Sequence, residues 1–217
     1  MKPQSHHRLL SHLGLVLGVG VLLLVLAWGW GDDWHRSQAW FINRWFQALP
    51  PALKFAIRHG HWLFYLGYAL LLVAGWRKGN KRYVQAVLIY LAAQLVFALA
   101  LVQVLKIALG RPRPYLEFQA PADWRPLSFD TQHQAMPSGH SADAMVGASV
   151  LIRFFASPWL RAAGLALALL VAASRVLQSQ HYPSDVIAGC LIGYLGGTCL
   201  AWWWTRRFGA VPEDKQE

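Results

Sequence analysis

No charged residue interrupts the chain between Leu13 and Gly31. At about 1.5 Å of rise per residue, a helix of that length crosses a hydrocarbon core of roughly 30 Å. Tyr83 to Leu105 repeats the pattern over a longer stretch. Four further apolar runs are shorter or touch a charge: Trp62 to Trp76, Ala142 to Ala156, Ala162 to Ser174 and Val186 to Thr205. The pattern predicts an all-α, polytopic membrane helical bundle of about six spans, forming one domain over residues 1–217. Two polar stretches punctuate it. Asp32 to His61 mixes aromatic residues with Arg36, Arg44, Lys54 and Arg58 around Pro50-Pro51, which predicts one or two short helices in the interface. Arg111 to Met136 carries Pro112, Pro114, Pro121 and Pro126 and predicts an irregular loop, with Glu117, Asp123 and Asp130 solvated or paired with its arginines.

Composition agrees with a membrane protein, since 56% of residues are hydrophobic and only 14% charged. A formal charge of +10 raises nucleic acid as a partner, but no soluble basic domain is present to bind it. The charge reports orientation instead. Lys2 and Arg8 precede the first span, Arg77, Lys78, Lys81 and Arg82 follow the second, and Arg206 and Arg207 follow the last. The positive-inside rule then puts both termini in the cytoplasm, with 205–217 a cytoplasmic tail. Arg153 and Arg161 fit the same side, whereas Lys106, Arg111, Arg113, Arg125 and Arg175 fall on the opposite one and need another reason. A basic start and Ala27-Trp28-Gly29 also loosely resemble a cleavable signal, but the first span reads as a retained anchor. Cys190 and Cys199 lie nine positions apart on one predicted helix, about 13.5 Å of rise, and cannot bridge each other. His59 and His61 form an H-x-H pair, which is poor evidence for metal and reads as a pair of interfacial histidines.

Three motifs carry candidate chemistry. KIALGRPRP places Lys106 at the end of a span and Arg113 seven positions on, about two helical turns, although Gly110 and Pro112 work against a continuous helix. In AMPSGHSADA, Pro137 and Ser138 suit a helix entrance with Ser138 as cap, and Gly139 lets an anion approach the free amides of the first turn, beside His140. In SRVLQSQHYPSD, Pro183 suits the first turn of a helix that leaves His181 just outside and Asp185 within. That spacing allows the carboxylate to accept a hydrogen bond from one imidazole nitrogen and leave the other as a nucleophile. Each motif alone describes a helix end with incidental polar residues. Six-span topology brings all three to one membrane face, where cations, histidines, a carboxylate and a phosphate-binding helix start form a phosphoryl-transfer constellation.

Together, K-x6-RP, PSGH and SR-x5-H-x3-D resemble the three signature motifs of the type 2 phosphatidic acid phosphatase family, at Lys106, Arg113, Pro114, Pro137, Ser138, Gly139, His140, Ser174, Arg175, His181 and Asp185. The motif region covers residues 106–185. The resemblance implies an integral membrane lipid phosphate or pyrophosphate phosphatase with no metal and no cofactor, working through a phosphohistidine. His181 would be nucleophile, Asp185 its partner and His140 the general acid, with Lys106, Arg113, Arg175, Ser138 and Gly139 binding phosphate. It also implies a bacterial inner-membrane protein whose active site faces the periplasm. Its partners would be a phosphorylated lipid, such as undecaprenyl pyrophosphate, phosphatidylglycerol phosphate, phosphatidate or a lipid A phosphate, and the surrounding membrane lipids. Two rivals share the spans: a lipid phosphotransferase using the same intermediate, and a lipid transporter or binding protein, which would have no need of two histidines, an aspartate and a helix-start glycine together. The sequence implies no oligomeric state.

Overall fold

The computed structural model describes residues 4–118 and 120–209; the N-terminal Lys2 and the polar end of the tail lie outside them. Helices account for nearly all of the regular structure among the described residues: α1 Gln4–Leu26, α2 Asp32–Ala48, α3 Pro51–His59, α4 Trp62–Lys78, α5 Lys81–Ala93, α6 Val102–Leu109, α7 Gly139–Phe154, α8 Pro158–Leu177 and α9 Pro183–Phe208. A π-helical stretch, Ala27–Gly31, joins α1 to α2, and another, Gln94–Leu101, joins α5 to α6. The chain therefore stays helical where the sequence suggested separate interfacial pieces, and the break at Pro50-Pro51 starts α3 as expected.

Four helical stretches are long and apolar enough to cross a membrane: Leu9–Ala48, Lys81–Phe118, Pro158–Leu177 and Pro183–Phe208. The two other stretches expected to span form α4 and α7, of 17 and 16 residues, which are shorter than those four. The outward faces carry Leu15, Leu22, Val25, Leu99 and Leu170, all exposed, as a lipid-facing surface requires.

The core lies where α7 is enclosed by α4, α5, α8 and α9, and includes Phe64, Tyr68, Ile89, Tyr90, Met145, Val146 and Val150. Tyr68 and Tyr90 stack with ring centroids 3.7 Å apart. Along α9, Gly189 faces the Ser138 carbonyl and, one turn on, Gly193 faces the Ala142 carbonyl, so closely that a Cβ on either would collide with that oxygen. The register, 138 with 189 and 142 with 193, shows that α7 and α9 run parallel in backbone contact. Their N-termini, which carry His140 and Asp185, are thereby placed side by side. At the end of α6, Gly110 adopts φ 61°, breaking the helix, and a Cβ there would collide with the Arg125 carbonyl. Lys106 and Arg113 consequently do not share one helix face; the turn at Gly110, not helical periodicity, brings Arg113 back toward the site.

Candidate active site

The connection between α8 and α9 presents His181, which is buried. Its Nδ1 lies 2.6 Å from the carbonyl oxygen of Ala135. A carbonyl only accepts, so Nδ1 carries the proton and Nε2 keeps a free lone pair. The Ala135 amide in turn donates to the Arg111 carbonyl at 3.0 Å, which links backbone of the first motif, the approach to the second and the histidine of the third.

Asp185 does not take the hydrogen bond expected of it. Its Oδ2 stands 3.8 Å from His181 Nδ1, beyond hydrogen-bond reach, and accepts from the Tyr182 amide at 2.8 Å. Its Oδ1 accepts from Arg111 Nη1 at 2.7 Å. The reason is geometric: as third residue of α9, Asp185 folds back on the free amide at the helix start, and the nearer backbone carbonyl captures the imidazole. Asp185 thus closes the start of α9 and stands beside His181 without bonding it.

Arg111 had no assigned place in the sequence. It is buried, with Nη1 also donating to Ser184 Oγ at 2.7 Å and Nη2 to Asp32 Oδ2 at 2.9 Å. The Tyr182 and Trp28 rings flank its Cζ at 4.1 and 4.6 Å. Asp32 also accepts from the amide and the hydroxyl of Ser184. One of the basic residues on the unexpected side of the topology is therefore a structural counter-ion to two buried carboxylates. Asp32 gave no signal in the sequence because its partners lie 79 and 152 positions away.

The other motif residues converge around the two histidines. Arg113 donates from Nη1 to Gln180 Oε1 at 2.8 Å and from Nε to the Thr131 carbonyl at 3.0 Å. Arg175 donates from Nη2 to the Ile57 and Arg58 carbonyls at 3.0 and 2.9 Å, and from Nε to Ser174 Oγ. Lys106 Nζ comes within 3.6 Å of the place a Cβ of Gly139 would occupy, so the absent side chain leaves room beside the ammonium group. Ser138 holds the N-cap position of α7, but its hydroxyl does not cap; it accepts from Ser141 Oγ at 2.8 Å, and its own proton is left for another acceptor. The free amides at the start of α7 are thus left open to an anion.

Two cavities meet at His140. One, of about 480 Å³, has an apolar wall of Leu95, Leu99 and Val102 and polar groups from Lys106, Gly139 and Asp143. The other, of about 440 Å³, is lined by Arg58, Arg175, Gln178 and Gln180. His61 borders both, and its ring lies against His140 with centroids 4.5 Å apart. In the sequence His61 reads as one of two interfacial histidines, outside all three motifs. Among the described residues, no group of three or more His, Cys, Asp or Glu side chains is arranged to hold a metal ion.

Burial, and after it the charges of Arg113 and Lys106, push the His181 imidazole well below its ordinary range. Both effects penalise the imidazolium, so the neutral ring persists to lower pH. In a histidine NMR titration of ligand-free protein, the His181 resonance is expected to stay unmoved through pH 6.5. A midpoint at or above that value would contradict the burial and charge environment described.

A family model described as the PAP2 superfamily matches residues 82–209, more than half of the chain. A lipid A 1-phosphatase of Rhizobium etli is 37% identical over 128 residues, 58% of this chain and 54% of that protein. An undecaprenyl-diphosphatase of Sulfolobus acidocaldarius is 35% identical over 106 residues, 48% of this chain and 49% of that protein. The chain spans about half the length of these curated relatives. The crystal structure of a transmembrane PAP2 type phosphatidylglycerolphosphate phosphatase from Bacillus subtilis superposes with a TM-score of 0.54 over 89% of this chain and 96% of that one, at 21% sequence identity, which speaks for a shared fold.

Proposed function

Because the chain belongs to the PAP2 superfamily, we propose that it hydrolyses a phosphomonoester or diphosphate carried by a membrane lipid, through a phosphohistidine. The observation that carries this reading is the tautomer of His181: Nδ1 is committed to the Ala135 carbonyl, which leaves Nε2 as a nucleophile. Nε2 attacks phosphorus as the bond to the lipid oxygen breaks, and His140 gives that oxygen a proton. A water molecule then attacks the phosphohistidine, losing a proton to His140 and releasing inorganic phosphate. Lys106, Arg113 and Arg175, with the Ser138 hydroxyl and the Gly139 amide, hold the non-bridging oxygens. Asp185 stabilises positive charge on His181 across 3.8 Å. The apolar wall at Leu95, Leu99 and Val102 gives the lipid chain a place beside His140, on the leaving-group side.

The basic residues at the opposite end of the bundle support a periplasmic site in a bacterial inner membrane, with both termini in the cytoplasm. Three cations supply the charge that a divalent ion would otherwise provide. Purified protein in detergent, given phosphatidate, phosphatidylglycerol phosphate, undecaprenyl diphosphate and lipid A, is expected to release inorganic phosphate from at least one of them. No acceptor is needed, and the rate is expected to be unchanged by EDTA. Absence of release from every lipid, or loss on chelation reversed by a divalent ion, would overturn the proposal.

A further inference from the structure

The turn between α3 and α4 enters the site from outside the three motifs. Arg175 ties it down through the Ile57 and Arg58 carbonyls, so its position is set by the third motif. His61, on this turn, is 8% exposed, and its Nδ1 is buried without a hydrogen-bond partner. Packing therefore contributes to orienting this face of the ring. Trp62 and Tyr65 meet it nearly edge-on, each with centroids 6.2 Å away, and Tyr65 is itself fixed by donating to Asp143 Oδ2 at 2.7 Å. On the remaining side the His61 and His140 rings cross at 83°, 4.5 Å between centroids. Edge-to-face pairs at such distances have a preferred mutual orientation, so each ring restricts the tilt of the other.

We propose that His61 is a positioning residue for His140: braced by Trp62 and Tyr65, it fixes the plane of that imidazole so that its proton points at the oxygen leaving phosphorus. This rests on His140 being the general acid. In the step concerned, the proton on His140 passes to the lipid oxygen as the P–O bond breaks and the P–N bond to His181 Nε2 forms. Acid catalysis of this kind contributes about 10²- to 10⁴-fold and depends on alignment, so a ring free to tilt forfeits part of it.

The test compares a substrate whose alkoxide leaving group needs the proton, dioctanoyl phosphatidate, with one that does not, 4-nitrophenyl phosphate. In His61→Leu and His61→Ala, kcat/KM, which covers only the steps up to release of the alcohol, is expected to fall about ten-fold for the alkyl ester and less than about two-fold for the aryl ester. His61→Phe, which keeps an aromatic edge, is expected to recover most of the loss. Equal slowing of both substrates, no slowing, or a phenylalanine variant no better than leucine would overturn the role of His61. His140→Asn separates the underlying reading: if it lowers kcat/KM, which covers only the steps up to release of the alcohol, alike for both esters, His140 is not the general acid, whatever His61 does.

Discussion

Purified His181→Ala is expected to release no phosphate above background, a loss of at least about 10⁴-fold, because the proposed mechanism forms the covalent intermediate on His181 Nε2. His181 is buried and its ring donates to a buried backbone carbonyl, so the variant strands that oxygen at a cost of about 1–3 kcal/mol. It is expected to insert in the membrane and to unfold somewhat below the wild-type temperature. His140→Ala is expected to lose about 10²- to 10⁴-fold with lipid substrates, the range for a general acid. Incubation with a ³²P-labelled lipid phosphate and a rapid alkaline quench distinguishes the two. Label is expected on wild type and, more slowly, on His140→Ala, and none on His181→Ala. Full activity in either variant, or label on His181→Ala, would end the assignment.

The second large effect concerns Arg111, whose guanidinium is bonded to Asp32, Ser184 and Asp185. Removing its guanidinium strands Asp32 and Asp185 together in a buried place, and breaking such a pair by deleting one partner costs about 3–5 kcal/mol. Arg111→Met, which keeps the apolar stem, is expected to lower the unfolding temperature in detergent and to lose activity, since Asp185, Ser184 and Tyr182 form the helix start beside His181. Asp32→Asn, which leaves Arg111 paired with Asp185, is expected to lose less. Unfolding of Arg111→Met at the wild-type temperature would show that the network contributes nothing.

Much of this site could be read from residues 106–185, because the chemistry is carried by types and spacings that local structure enforces. Pro183 at a helix start leaves His181 outside it, and Gly139 keeps the first turn of α7 open, as the sequence indicates. The errors arose where a local rule met a nearer competitor. Four-residue spacing suggested that Asp185 would bond His181, but the aspartate bonds the free amide of its own helix and a carbonyl 46 positions upstream takes the imidazole. Ser138 stands at the cap position without capping. Asp32 and His61 were illegible for another reason: hydrophobic periodicity predicts that their segments exist, but nothing in it says which residues of a long interfacial stretch turn inward.

The tie between Arg111 and Asp32 bears on how this architecture can be recombined. The family match begins at residue 82, yet Asp32, the Ile57 and Arg58 carbonyls and His61 all reach the motif half from before that boundary. A chimaera joining the first 81 residues of one relative to the remainder of another would have to carry an acid that meets Arg111 and a turn that fits Arg175. The boundary of the family match is not a seam along which the molecule can be taken apart.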